Sequence, residues 1–203
     1  IIIRITAKCM EVNEAKTLIA AMEALVNTRL KQYIYGTDDE TLASYLGKEL
    51  LRTESTIAFA ESCTGGLASS LVTDVPGSSE YLLGSAVTYS NMAKHKLINV
   101  SEESLEAYGA VSWQVACEMA QGVRELFGTT YGVGITGIAG PGGATEDKPV
   151  GLVYMAVADA DGVKWAKHVF GGTRTDNKMR SALTAISMVI DRIKEKETEN
   201  KDK

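Results

Sequence analysis

From Thr53 to Ile193 the chain alternates short apolar stretches of strand character with stretches whose apolar residues recur at helical spacing. "TIAFAES" reads as a buried strand, "GLASSLVTDV" as a short helix and "YLLGSAVTYS" as a second strand, after which "NMAKHKLI" begins helically. A turn of helix at "SEESLEAY" precedes a longer helix, "SWQVACEMAQGVRELF", capped by Ser112 and closed by Gly128. "YGVGITG" is a strand. "VGLVYMAVAD" and "VKWAKHVFG" flank an Asp-Gly turn at Asp161 and Gly162, the pattern of a hairpin. "DNKMRSALTAISMVIDRIKEK" is a final helix, and the polar "KEKETENKDK" at its end is expected to fray. Alternating strands and helices need a sheet covered on both faces, and the hairpin adds an antiparallel pair. The expectation is therefore a layered α/β/α domain around a mixed sheet.

Ahead of this domain, "IIIRITAK" looks like a strand, "EVNEAKTLIAAMEALVNTRL" carries a helical pattern, and "YIYG" is a second short strand. Together they read as a small β-α-β remnant. "DDETLASYLGKELL" starts with acids and spaces Leu42, Leu46 and Leu50 for an amphipathic linker helix. The expected division is residues 1–52 and 53–203. An opening without Met that is already strand-like suggests that the chain starts inside a longer protein. With 45% hydrophobic and 23% charged residues in 203, the composition is that of an ordinary soluble protein. A formal net charge of -5 supplies no positive field for phosphate backbones, which excludes nucleic acid as a direct partner. No apolar run reaches bilayer length and the opening lacks the order of a signal peptide, so a cytoplasmic protein without membrane contact is the default. Cys9, Cys63 and Cys117 form no CxxC pair and no Cys/His cluster; free thiols are expected, with no metal and no cofactor.

Three glycine-bearing segments hold the chemistry-bearing residues. In "ESCTGG" a strand ends in Ser62, Cys63 and Thr64 and turns through Gly65 and Gly66 into a helix. Such a corner presents small hydroxyl and thiol groups at the carboxyl edge of a sheet, where helix-start amides and the dipole favour negative charge. It could hold a phosphate, hold an oxyanion behind a serine or cysteine nucleophile, or simply cap a helix. In "VTYSNMAK", Asn91 as N-cap would place Lys94 at the third helical position, where the dipole disfavours a cation. Burial there would lower its pKa and suit it to act as a neutral base, with Tyr89 in reach of the amine or the serine hydroxyl. "GITGIAGPGGATEDKPVG" delivers Thr136 to the sheet edge and follows it with a loop whose amides could line a pocket. The formal GxGxxG at Gly132, Gly134 and Gly137 lies inside a strand and opens no helix, which rules out the dinucleotide fingerprint. "GGTR" sets Arg174 just before the last helix, where its guanidinium could grip a phosphate or carboxylate.

"AESCTGG", "VTYSNMAK", "GAVS", "TGIAGPGG", "KPVG" and the "GGTR" arginine occur in the order found in the carboxyl-terminal domain of the CinA (competence/damage-inducible) family, which the chain resembles over nearly all of Thr53 to Ile193. The segment before residue 53 is similar to the end of that family's connecting domain. The resemblance implies a serine-lysine amidohydrolase that converts nicotinamide mononucleotide to nicotinate mononucleotide and ammonia. It implies Ser62 as nucleophile, Lys94 as general base and Tyr89 as the residue supporting them. Amides from Cys63, Thr64, Gly65 and Gly66 would stabilise the oxyanion. Thr136, Gly137, Gly140, Gly142, Gly143 and Arg174 would bind the rest of the substrate. It also implies a small-molecule nucleotide partner, a homodimer, and an association with DNA-processing competence proteins. One departure is Thr173, where the family commonly has an acid before the arginine.

Overall fold

The computed structural model describes residues 2–201, in two compact units, Ile1–Thr41 and Leu42–Lys203. In the first unit the expected helix forms as α1 (Val12–Leu30) and buries no residue. The flanking strands do not form: residues 2–9 and 34–36 take part in no ladder. Two short segments joined by a helix that buries no residue offer too little burial to hold a strand pair. The helix α2 (Leu42–Arg52), read from the sequence together with the first segment, lies in the second unit and buries Ala43, Leu46 and Leu50 there.

The second unit follows the predicted order: β1 (Ile57–Glu61), α3 (Leu67–Thr73), β2 (Leu82–Val87), α4 (Asn91–Ile98), α5 (Glu102–Tyr108), α6 (Trp113–Phe127), β3 (Tyr131–Gly137), β4 (Leu152–Asp159), β5 (Gly162–Val169) and α7 (Arg174–Lys201). Ser112 caps α6 and Gly128 closes it, as expected. The polar tail does not fray within the described residues; α7 runs on to Lys201, with Arg52 paired to Glu197. The sheet order is β2-β1-β3-β4-β5. β1 lies parallel to both β2 and β3, whereas β3, β4 and β5 pair antiparallel. The mixed sheet and its helical layers are those expected.

The two faces of the sheet are built differently. One carries large residues, Ile57, Phe59, Val133, Ile135, Met155 and Val157, which pack with Leu46 and Leu50 of α2, Val72 of α3 and Ile186 and Val189 of α7. The other presents two rows of small residues across three strands, Ala58–Gly132–Ala158 and Ala60–Gly134–Ala156. A β-carbon built on Gly132 would lie 2.1 Å from the Ala120 carbonyl oxygen, and one on Gly134 would lie 2.3 Å from that of Ala116. Both carbonyls belong to α6. Gly132 and Gly134 of "GVGITG" therefore let α6 approach the sheet, while a β-carbon on Gly137 would meet the Leu152 carbonyl oxygen of β4 at 2.6 Å.

Because β2 and β3 flank β1 on opposite sides, with α3 and α6 on opposite faces, the chain reverses its direction of travel at β1. The crevice outside the carboxyl ends of β1 and β3 is the topological switch point, the place where open α/β sheets bind ligands. Replacing Gly134 by Ala must push α6 outward or distort β3, because the obstruction is backbone. We expect Gly134→Ala to cost about 1–3 kcal/mol in urea unfolding. Gly171→Ala, where a β-carbon meets nothing within 4 Å, should stay within about 0.5 kcal/mol of the parent.

Candidate active site

β1 ends on Glu61, and its ladders continue one step into the corner. The Ser62 amide donates to the Ile135 carbonyl at 2.9 Å and the Thr88 amide to the Glu61 carbonyl at 2.9 Å. Ser62 is thereby fixed between the ends of β2 and β3. The corner that follows needs left-handed backbone at Gly65 (φ 65°) and Gly66 (φ 94°), conformations that favour glycine.

Glu61 is fully buried, and sequence reasoning missed it. Its Oε2 accepts from the amides of Gly66 (3.0 Å) and Ala68 (3.1 Å), and its Oε1 from the amide (2.8 Å) and hydroxyl (2.9 Å) of Ser69. A carboxylate one residue before Ser62 thus caps α3 from the strand. This corrects the expectation that Cys63 to Gly66 all offer amides to an oxyanion. Gly66 is held by Glu61, and Gly65 donates to the Ser62 carbonyl at 3.1 Å. Among the described residues the amides of Cys63 and Thr64 enter no backbone hydrogen bond. The signal was legible: a lone acid ending an otherwise apolar strand, just before a helix start, is a cap looking for amides.

Lys94 comes to Ser62 from α4. The N-cap is Ser90, whose hydroxyl accepts from the Ala93 amide, so the helix begins one residue earlier than expected and Lys94 is its fourth residue. Its side chain is 1% exposed. Nζ donates to Ser62 Oγ at 3.0 Å and to the Thr88 carbonyl at 2.8 Å. No carboxylate among the described residues pairs with it. Burial lowers its pKa from the ordinary 10.5 to about 8, with the neighbouring Cys63 pulling the other way. Desolvation, more than the helix dipole, is the leading cause.

Cys63, beside Ser62, is buried, and burial pushes its thiol up to about 12 although its own amide and Lys94 favour the thiolate. A thiol held protonated is a poor nucleophile, and of the two neighbours it is the Ser62 hydroxyl that lies in hydrogen-bond contact with the Lys94 amine. Tyr89 does not join the pair. Strand alternation turns Thr88 inward and leaves Tyr89 61% exposed, with its hydroxyl accepting from Arg174 Nη2 at 3.0 Å. The group that holds the lysine is the Thr88 carbonyl. Arg174 also donates through Nη1 to the Gly140 carbonyl at 2.7 Å, which ties the start of α7 to the glycine loop. Thr136 is 1% exposed and spends its hydroxyl on the Ala110 carbonyl at 2.7 Å. Gly137 ends β3, while Gly142 and Gly143 are exposed in the loop beyond. Thr173, the departure noted above, caps α7: its hydroxyl donates to Asp176 Oδ2 at 2.7 Å and accepts from the Asp176 amide at 3.3 Å, without touching the guanidinium. Thr64 and Thr88 keep fully buried hydroxyls that find no hydrogen-bond partner among the described residues. Among the described residues no group of three or more His, Cys, Asp or Glu side chains is placed to hold a metal, and no helix is long and apolar enough to cross a membrane.

A family profile described as the CinA C-terminal domain matches residues 39–193. The chain belongs to the CinA family. All the candidate residues, from Ser62 to Arg174, lie inside the matched region. A protein of Moorella thermoacetica whose name ties it to competence-damage induction is 48% identical over 187 residues, which is 92% of this chain and 45% of that protein. A CinA-like protein of Gloeothece citriformis is 42% identical over 194 residues, covering 96% of this chain and 46% of its own length. The chain thus spans less than half the length of these curated relatives. Among solved structures, the competence/damage inducible protein CihA from Agrobacterium tumefaciens superposes with a TM-score of 0.74 at 37% identity, covering 78% of this chain and 97% of that one.

The depressed lysine makes a stability prediction for this CinA domain. A folded-state pKa of about 8 against an ordinary 10.5 means that the folded state disfavours the charged amine, and that folding releases a proton from Lys94 between those two pH values. The cost is full below about pH 8 and is relieved as pH rises toward 10.5. Lys94→Met should therefore raise unfolding stability by up to about 3 kcal/mol at pH 7, with the gain shrinking above pH 8. A gain that does not change with pH between 7 and 10 would mean the amine carries no such burden.

Proposed function

We propose that the domain hydrolyses the carboxamide of nicotinamide mononucleotide to nicotinate mononucleotide and ammonia, with Ser62 as nucleophile and Lys94 as general base. The observation that carries this reading is the 3.0 Å contact between Lys94 Nζ and Ser62 Oγ inside a buried corner. The choice of this amide rests on the motif resemblance to CinA amidohydrolases. At pH 7 an ordinary lysine is neutral in only about one molecule in three thousand, whereas a pKa near 8 makes it neutral in about one in ten.

In that neutral form Lys94 accepts the Ser62 proton as Oγ attacks the carboxamide carbon. The oxyanion forms against the amides of Cys63 and Thr64. The C–N bond then breaks, the lysine ammonium gives its proton to the leaving nitrogen, and ammonia departs from an acyl-serine ester. Water attacks the ester, Lys94 accepts its proton, and the returning proton restores Ser62 as nicotinate leaves. Arg174, fastened to Gly140 and Tyr89, holds the phosphate of the mononucleotide and aligns the carboxamide with Ser62.

Ammonia release from nicotinamide mononucleotide is the test. Ser62→Ala should lose at least about a thousandfold in turnover, while Cys63→Ala stays within about tenfold of the parent. Lys94→Arg, charged at every accessible pH, should be inactive throughout, and the parent rate should rise with pH through about 8. Binding of the mononucleotide without any ammonia release would replace the enzyme with a nucleotide-binding module.

A further inference from the structure

Arg174 and Lys178 stand four residues apart on α7, on one face of the helix. The first is bound to two neutral acceptors, the Gly140 carbonyl and the Tyr89 hydroxyl, which leaves its other N–H groups to spare. Lys178 is half-buried, and its amine lies over the nucleophile corner: a β-carbon built on Gly65 would sit 3.8 Å from Nζ. Among the described residues neither cation meets a carboxylate. The nearest acid in sequence, Asp176, is turned away to the amide and hydroxyl of Thr173. Farther along the same helix the pattern is the opposite, with Arg192 paired to Asp159 and Lys196 to Asp159 and Asp161. Between the two free cations, Asn177 is buried and donates through Nδ2 to the Ala139 carbonyl at 3.1 Å, so this stretch of α7 is fixed against the segment that follows β3.

In a chain of net charge -5, two cations left uncompensated beside a buried nucleophile mark the seat of an anion. A phosphomonoester carries close to two negative charges at neutral pH and three acceptor oxygens, which one guanidinium cannot balance alone. Resting on the proposed reading of the site, we infer that Lys178 is a second phosphate-binding residue, which with Arg174 makes the site selective for a phosphomonoester nucleotide over its nucleoside.

The test is calorimetric binding to the full chain in a Ser62→Ala background, with nicotinamide mononucleotide and nicotinamide riboside as ligands, alongside ammonia release with Ser62 intact. Lys178→Ala and Lys178→Gln should weaken mononucleotide binding by about 10- to 100-fold and leave the riboside within about twofold. Lys178→Arg should restore most of the loss. In turnover, the same variants should raise KM for the mononucleotide with kcat nearly kept. Equal losses on both ligands, or none on the mononucleotide, would overturn the inference even if ammonia release is normal. If ammonia is never released but the phosphate-specific loss persists, the amidohydrolase reading fails and the role of Lys178 stands. A chain that binds neither compound overturns both.

Discussion

Lys94 is buried without a counter-ion, and the architecture of the corner follows from how that is tolerated. An ammonium removed from water is costly unless its hydrogens are satisfied or its proton is lost. Here a carbonyl and a hydroxyl accept from it, Thr88 and Ser62, and burial shifts the balance toward the neutral amine. A carboxylate exists one residue from Ser62, yet the fold keeps it occupied: Glu61 accepts three amides and a hydroxyl at the start of α3. Had Glu61 turned to the lysine, the ion pair would have raised the pKa and kept the amine charged at neutral pH. Two buried ionisable groups in one corner are therefore satisfied separately, one by backbone dipoles and one by desolvation.

That separation depends on packing behind the sheet. The small rows at Ala58, Gly132 and Ala158 and at Ala60, Gly134 and Ala156 bring α6 close, and α6 in turn receives α4, since a β-carbon on Gly122 would collide with the Ile98 carbonyl at 1.8 Å. Lys94 is carried on α4, so its approach to the end of β1 is set by glycines on elements that contribute no chemistry. The opposite face, filled with large side chains, holds α7 and hence Arg174 and Lys178. The two halves of the site are thus mounted on opposite layers and meet at the carboxyl edge.

Much of this could be read from the residues. Strand and helix periodicity gave the order of the main unit, and caps such as Ser112 and Gly128 gave helix ends, because these signals are local. What sequence could not supply was pairing across the fold. "IIIRITAK" has strand composition, but a strand needs a partner and none is formed. Tyr89 shares its motif with Lys94, yet strand alternation sends it outward to Arg174. The Thr88 carbonyl leaves no trace in motif spacing because it is a main-chain acceptor, whereas Glu61 carries a local signal as the lone acid ending an apolar strand just before a helix start. The serine-over-cysteine choice, which intrinsic reactivity argues against, becomes physical once burial is seen to raise the Cys63 thiol to about 12.

Lys94 loses its proton near pH 8 instead of near 10.5, which leaves a neutral amine beside Ser62 in about one molecule in ten at pH 7, and this titration can be observed directly. Lysine labelled with carbon-13 at Cε gives a resonance that moves when the amine loses its proton, and comparison with Lys94→Met assigns the signal. One lysine should titrate near pH 8, well apart from the rest, which should titrate near the ordinary value of about 10.4. A Lys94 resonance that shifts only with the bulk of the lysines would contradict it.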